Sequence, residues 1–299
     1  MSAKLPTLMQ SARVPFLILA PVSVFLGISS AYVSATDIQW LHVALAVLAA
    51  ILAHISVNAF NEYMDYRSGL DLKTERTPFS GGSGGLVDNP SALNSVLAMA
   101  WITLLLTMAI GGYFIYLRGE ALLWLGAIGV LLVVGYTPWI NRSPLLCWMA
   151  PGLGFGPVMV LGTHIALTGD LNGLALLLSL VPFMLANNLL LLNQFPDIDA
   201  DRANGRRHVP IIYGKAASLA LYSLGLLVAS FAVVIGCVFE LLPWLSLLAL
   251  VPLALGMTVV LGLKPLLRKG AATWLPYLGR NVVMTLVTPI ILGTTLILG

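Results

Sequence analysis

Nine long apolar stretches, at about 14–33, 41–64, 91–116, 120–140, 145–168, 173–194, 215–239, 242–263 and 280–298, leave this chain few ways to fold. About 20 apolar residues suffice to cross a bilayer as a helix. Lipid offers no partner for backbone N–H and C=O groups, so a crossing segment must satisfy them internally. Charge is too scarce for the alternative: only 9% of the 299 residues are charged, where soluble domains carry roughly 25%, and a soluble surface cannot be covered from that. The expectation is an all-α membrane protein of nine transmembrane helices forming a single domain over 1–299. The first run is long enough to span and lacks a clear small-residue cleavage site, so it reads as a retained helix rather than a signal peptide.

Basic residues orient the bundle. With the N-terminus inside, the inner segments hold Lys4, Arg13, Arg67, Lys73, Arg76, Arg142, Arg202, Arg206, Arg207, Lys215, Lys264, Arg268, Lys269 and Arg280, which leaves Arg118 alone outside among the 15. Positive charge on one side marks the cytoplasmic face. The expected location is an integral multi-pass membrane protein, in the inner membrane if the cell is prokaryotic. Cys147 and Cys237 lie in apolar stretches and read as small buried hydrophobes.

Acidic residues carry little topological information, so their gathering on the same inner side needs another cause. Eight of the 12 lie there, six of them in two clusters at the inner ends of the second and sixth spans. The first reads N-A-F-N-E-Y-M-D-Y-R-S-G-L-D and holds Asn58, Asn61, Glu62, Asp65 and Asp71. Its first four polar positions share one helical face, with His54 one turn earlier on the same side. Gly69 lets the chain turn and bring Asp71 back toward Asp65. The second reads N-N-L-L-L-L-N-Q-F-P-D-I-D-A-D-R-A-N-G-R-R and holds Asn187, Asn188, Asn193, Asp197, Asp199 and Asp201. Asp197 and Asp201 fall on one face and Asp199 on another, and Pro196 predicts a kink or helix end. Asn61–Asp65 and Asn193–Asp197 share one spacing, which suggests an internal four-helix repeat, about 14–140 and 145–263, followed by a ninth helix.

Facing carboxylates repel unless they are solvated, protonated or neutralised by cations. Mg²⁺ takes one or two carboxylates per site, keeps waters and completes its shell with phosphate oxygens. Two opposed sets therefore suit two Mg²⁺ on a diphosphate. Ordinary solvated loop charges are the plainer alternative, but those rarely come with Asn on the buried helical face. Arg67, Lys73 and Arg76 follow the first cluster; Arg202, Arg206, Arg207 and Lys215 follow the second. Topology alone explains most of them, while an arginine fork fits a phosphate best. The segment R-T-P-F-S-G-G-S-G-G, 76–85, offers backbone N–H groups to a diphosphate, or is a plain flexible loop. His164 and His208 have no metal-ligand spacing to another His or Cys. Tyr63, Tyr66, Tyr136 and Trp139 are candidates for the cavity wall or for an interfacial aromatic belt.

Together these motifs resemble those of the UbiA superfamily of intramembrane prenyltransferases, and within it the 1,4-dihydroxy-2-naphthoate branch of menaquinone synthesis. The family's N-D-x-x-D followed by a further Asp is matched by Asn61, Glu62, Asp65 and Asp71, with Glu in the second place. D-I-D-A-D-R-A-N-G-R supplies Asp197, Asp201 and Arg202, and G-L-G-F-G-P-V-M-V-L-G, 152–162, is also similar. Two features depart: Ile140 stands where many members have the Lys of Y-x-x-x-K after Tyr136, with Arg142 the nearest cation, and the 76–84 loop differs from the branch's Gly-Pro-Arg segment.

The resemblance implies a UbiA-like bundle with its active site at the cytoplasmic face. Its metal set would be Asn61, Asp65, Asp71, Asp197 and Asp201 holding Mg²⁺, with Asp65, Asp197, Asn61 and Asn193 catalytic. Substrate contacts are expected from Arg67, Lys73, Arg76, Tyr136, Arg142, Arg202, Arg206, Lys215, His54 and Asn58. The implied reaction moves an isoprenyl chain from a polyprenyl diphosphate to an aromatic small-molecule acceptor. Hydroxybenzoate, a glyceryl phosphate lipid or a porphyrin are alternative acceptors, and a terpene cyclase would share the metal site without one. A secondary transporter is the non-enzyme alternative; it predicts polar residues near mid-helix, whereas here they gather at one interface. Nothing in the chain marks a nucleic-acid binder.

Overall fold

The computed structural model describes residues 4–35 and 37–299, and among them no strand occurs. After a short helix, Leu5–Ser11, come α1 (Leu19–Ser34), α2 (Trp40–Ser68), α3 (Leu93–Arg118) and α4 (Glu120–Gly135). Then follow α5 (Pro144–Thr168), α6 (Gly173–Asn193), α7 (Gly214–Val238), α8 (Leu250–Leu263) and α9 (Leu275–Leu298). Counting the short turns that extend α1 and α8, eight of the described helices are long and apolar enough to cross a membrane. The segment expected at 120–140 differs: α4 has only 16 residues, and a separate 3-10 turn, Ile140–Arg142, follows it.

Lipid removes the hydrophobic drive between helices, so they are held by close packing and interhelical hydrogen bonds. The largest buried cluster joins α6 to α7, α8 and α9 through Leu185, Leu192, Leu226, Leu253, Leu278 and Met284. A polar knot pins three of these helices, α6, α7 and α9. Asn188 Nδ2 donates to the Tyr222 carbonyl (2.9 Å), Tyr222 Oη to Asn281 Oδ1 (2.9 Å) and Asn281 Nδ2 to the Asn188 carbonyl (3.2 Å). A smaller cluster, with Phe60, Val96 and Leu104, joins α2 to α3. Helix α4 is the loosest member, with only Leu122 and Gly135 buried.

Helix α5 is not a regular helix. Residues 154–161 are π-helical between α-helical flanks, and the stretch holds Pro157 just after Pro151. Each proline removes a backbone donor and clashes with the preceding turn, which is one recognised cause of such irregularity. Asn187 of α6 repairs part of the ladder by accepting the Gly152 N–H at 2.6 Å.

Two glycines set where the acidic residues point. Gly69 ends α2 with φ +76°, and the amides of Gly69 and Leu70 donate to the carbonyls of Tyr66 (3.0 Å) and Asp65 (3.0 Å). This is a Schellman ending, which requires a left-handed residue that glycine adopts without strain. The same ending closes the short helix Ile198–Ala203. There Gly205 has φ +80°, and the Arg206 N–H donates to the Asp201 carbonyl at 3.0 Å. Asp65 and Asp201 thus hold equivalent places, one turn before a glycine that reverses the chain.

Candidate active site

A cavity of about 900 Å³ opens between α1–α6 and the segments that follow α2 and α6. Most of its wall is apolar, with Ala46 and Ala50 of α2, Leu104 and Met108 of α3, Gly126 and Val130 of α4, and Phe155 and Val158 of α5. Its polar end carries Asn58, Asn61, Asp65, Asp71, Asn193, Asp197, Asp201 and Arg206. The two acidic clusters therefore share one chamber.

Arg206 joins them. Its Nη2 donates to Asp65 Oδ1 and Oδ2 at 2.5 and 2.6 Å, and its Nη1 to Asp201 Oδ1 at 2.9 Å. Two carboxylates from opposite halves of the chain are thus held on one planar fork, the geometry a lysine cannot reproduce. Burial alone would pull the Arg206 guanidinium down, but the Asp65 and Asp201 charges outweigh it and hold it above its usual value. His208 completes the Asp201 shell, with Nε2 2.9 Å from Asp201 Oδ2.

Asp71 and Asp197 behave differently, because neither has a cation on it. Burial, with the Glu62 and Asp65 charges next, pushes the Asp71 carboxyl up to about 8. Burial followed by the Asp201 charge pushes Asp197 up to about 7, opposed by a hydrogen bond from the Gly81 amide. Asp71 Oδ2, Asp197 Oδ1 and Asn193 Oδ1 are buried without a hydrogen-bond partner. Such orphans are rare. Three unsatisfied oxygens at the mouth of one cavity are a donor set of the hard type Mg²⁺ takes. Among the described residues no three His, Cys, Asp or Glu side chains converge closely enough to hold an ion unaided.

Of the residues expected to touch substrate, His54, Asn58, Tyr136 and Arg206 line the cavity with the metal candidates. Asn61 lines it too and donates to Thr137 Oγ1 at 3.1 Å. The other basic candidates lie outside the lining. Arg67 donates to Tyr63 Oη at 3.2 Å, Arg76 pairs with Asp88 at 3.4 Å and Arg202 with Asp199 at 3.3 Å. Lys215 stands over the Trp274 ring at 4.1 Å, and Lys73 and Arg142 are exposed. Most of them follow the acidic residues in sequence, but Arg67, Arg76, Arg202 and Lys215 have partners outside the cavity lining. Tyr63 and Tyr66 pack against the α2–α3 cluster, and Trp139 is exposed.

Two further residues at the site carry no distinguishing signal in the sequence. Arg13, just before the first span, adopts a left-handed conformation (φ 53°) and lines the cavity; in sequence it is one more inner cation. His208 has no metal-ligand spacing, yet it backs Asp201. Cys147 is buried in the same wall and accepts from Gln194 Nε2 at 3.2 Å; it and Cys237 are free thiols.

Known proteins resemble this chain in sequence and in fold. The chain is 30% identical over 198 residues to the 1,4-dihydroxy-2-naphthoate octaprenyltransferase of Bacillus subtilis (strain 168), covering 63% of this chain and 59% of that relative. It is 27% identical over 232 residues to the digeranylgeranylglyceryl phosphate synthase of Natronomonas pharaonis, covering 77% of this chain and 74% of the relative. In fold it is similar to a UbiA homolog from Archaeoglobus fulgidus bound to DMAPP and Mg²⁺, with TM-score 0.67, 13% identity and 97% and 99% of the two chains covered. With apolar helices enough for a multi-pass integral membrane protein, and a match to the UbiA prenyltransferase family model over residues 20–277, the chain belongs to that family.

Proposed function

We propose that this protein transfers an isoprenyl chain from a polyprenyl diphosphate to an aromatic acceptor, 1,4-dihydroxy-2-naphthoate in quinone synthesis. One observation carries the reading: both acidic sets meet, through Arg206, at the polar end of a deep apolar cavity. The naphthoate octaprenyltransferase relative supports the acceptor, and the Mg²⁺- and DMAPP-bound neighbour supports the donor and the ion.

Asp65, Asp71, Asp197 and Asp201, with Asn61 and Asn193, are the residues that would hold Mg²⁺. When bound, that ion supplies positive charge to a diphosphate as it leaves. Arg206 holds Asp65 and Asp201 aligned on one fork, and Arg13 offers a second guanidinium at the mouth. The apolar walls of α2–α5 take the prenyl tail and keep water from an allylic cation. Tyr136, His54 and Asn58, further into the cavity wall, orient the acceptor. In the membrane we place the N-terminus and the cavity mouth on the cytoplasmic side, with α4 as a ninth crossing. The matched endings at Gly69 and Gly205 support a single domain built on a duplicated helical unit.

The test is direct. Purified protein with Mg²⁺, prenyl diphosphates of graded length and a panel of acceptors should yield the prenylated naphthoate product by mass, and EDTA should stop it. Asp65→Ala and Asp197→Ala should each abolish turnover. Product from a glyceryl phosphate acceptor alone would move the assignment toward the Natronomonas relative, and undiminished turnover by either Asp variant would refute the site.

A further inference from the structure

We propose that Glu62 is the fixed anchor of a glycine-serine strap, residues 77–83, laid across the two acidic sets, and is not one of the groups that hold the cation. Glu62 stands among carboxylates and is only 3% exposed. Both its oxygens are nevertheless taken by one residue: Ser83 Oγ donates to Oε1 at 2.5 Å and the Ser83 N–H to Oε2 at 3.1 Å. An aspartate here would be one methylene short of that grip.

From this anchor the strap runs over both clusters. Gly82 lies so close to Asp71 that a Cβ would stand 2.6 Å from Oδ1. The Gly81 N–H donates to Asp197 Oδ2 at 3.0 Å. Thr77 stiffens the far end: its Oγ1 accepts the amides of Phe79 (3.2 Å) and Ser80 (2.9 Å), and its own N–H donates to the Ser80 carbonyl (3.0 Å). The two contacts with the acidic sets are unequal. Ser83 gives Glu62 two hydrogen bonds, one from a hydroxyl, whereas Asp197 receives a single amide and keeps its other oxygen buried and unpartnered. A divalent ion is a far stronger partner for Asp197 than one neutral amide. When a cation draws both Asp197 oxygens to itself, Gly81 lets go of Oδ2 and the strap pivots on Ser83, which leaves its freed amides to an entering diphosphate.

This inference rests on the reading of the acidic sets as a cation–diphosphate site, and two readouts separate their failures. Mn²⁺ binding to the purified protein in detergent, followed by electron paramagnetic resonance, reports the cation site. Amide hydrogen exchange over 77–83 by mass spectrometry reports the strap. Mn²⁺ alone should speed exchange at Gly81 and leave Ser83 protected, and inorganic pyrophosphate added with it should slow the Gly81 exchange again. Glu62→Gln keeps an oxygen and an amide for Ser83, so it should bind Mn²⁺ and protect the strap like the wild type. Glu62→Ala and Ser83→Ala should keep Mn²⁺ binding while metal-free exchange over 77–83 rises about tenfold, the scale of a lost hydrogen bond to a charged group. Loss of Mn²⁺ binding by Glu62→Gln, to the extent seen in Asp197→Ala, would overturn the proposal, as would unchanged strap exchange in Glu62→Ala. If the wild type bound no Mn²⁺ the functional reading would fall and the pivot with it, while metal-free exchange would still decide the anchor.

Discussion

Deleting the Arg206 guanidinium tests the electrostatic design of the site. Arg206→Ala strands Asp65 and Asp201, whose side chains are 8% and 4% exposed, while Arg206 itself is 17% exposed. Removing one partner of a buried ion pair destabilises by about 3–5 kcal/mol, because the remaining charge is left uncompensated. Water at the cavity mouth places this case near the lower end, about 3 kcal/mol. At roughly 2–4 °C per kcal/mol for chains somewhat smaller than this one, the midpoint should fall by about 6–12 °C. The assay is thermal unfolding of the purified protein in mild detergent with EDTA, so that no cation replaces the lost charge. A second variant makes the test sharp. Asp65→Asn removes one of the charges that Arg206→Ala strands, so the double variant should be more stable than the two single losses predict, with a coupling of about 1–3 kcal/mol. Losses that add to within about 0.5 kcal/mol would show that Arg206 does not neutralise Asp65, and the account of the site would fail.

Three further outcomes follow from the geometry. Asp71 and Asp197 are raised to about 8 and about 7 and bind a cation only when deprotonated, so Mg²⁺ affinity should climb from pH 6 to pH 9; calorimetry in two buffers of different ionisation enthalpy should detect the protons released, and a flat profile would contradict the raised values. Gly112 and Gly126 line the cavity and have open space where a side chain would go, so Gly126→Leu should shorten the longest prenyl diphosphate accepted, read by product mass. Tyr222→Phe breaks one link of the polar knot between α7 and α9 and should lower stability by about 1 kcal/mol, the scale of interhelical hydrogen bonds in membranes, with product mass unchanged.

Much of this was legible in the sequence, for identifiable reasons. The spacing of Asn58, Asn61, Glu62 and Asp65 is a helical face, and that face borders the cavity except at Glu62, which turns to Ser83. Gly69 signalled the turn that brings Asp71 onto the same cavity as Asp65. Asp199 separates from Asp197 and Asp201 as its spacing implied and faces solvent with Arg202. What stayed hidden depends on contacts between residues far apart in the chain. Nothing local distinguishes Arg206 from Arg202 or Arg207; the reversal at Gly205 selects it. Arg13 looks like any inner cation until the left-handed turn at its own position is seen. The π-helical stretch of α5 could not be read from apolar periodicity, because an all-apolar run has none, and only the two prolines hinted at it.

The short helix α4 has a consequence of its own. Its 16 residues rise about 24 Å at 1.5 Å each, against a hydrocarbon thickness of roughly 30 Å. As the ninth crossing proposed above, it would require the bilayer beside it to thin, or the helix to shift, to hide that mismatch. The same helix supplies cavity-wall residues from Leu122 to Val133 and has few buried contacts to restrain it. On that reading, acyl-chain length in the surrounding membrane would bear on this wall more than on the tightly packed α6–α9 side, and the bore of the proposed prenyl tunnel would be set partly by the lipids around the protein.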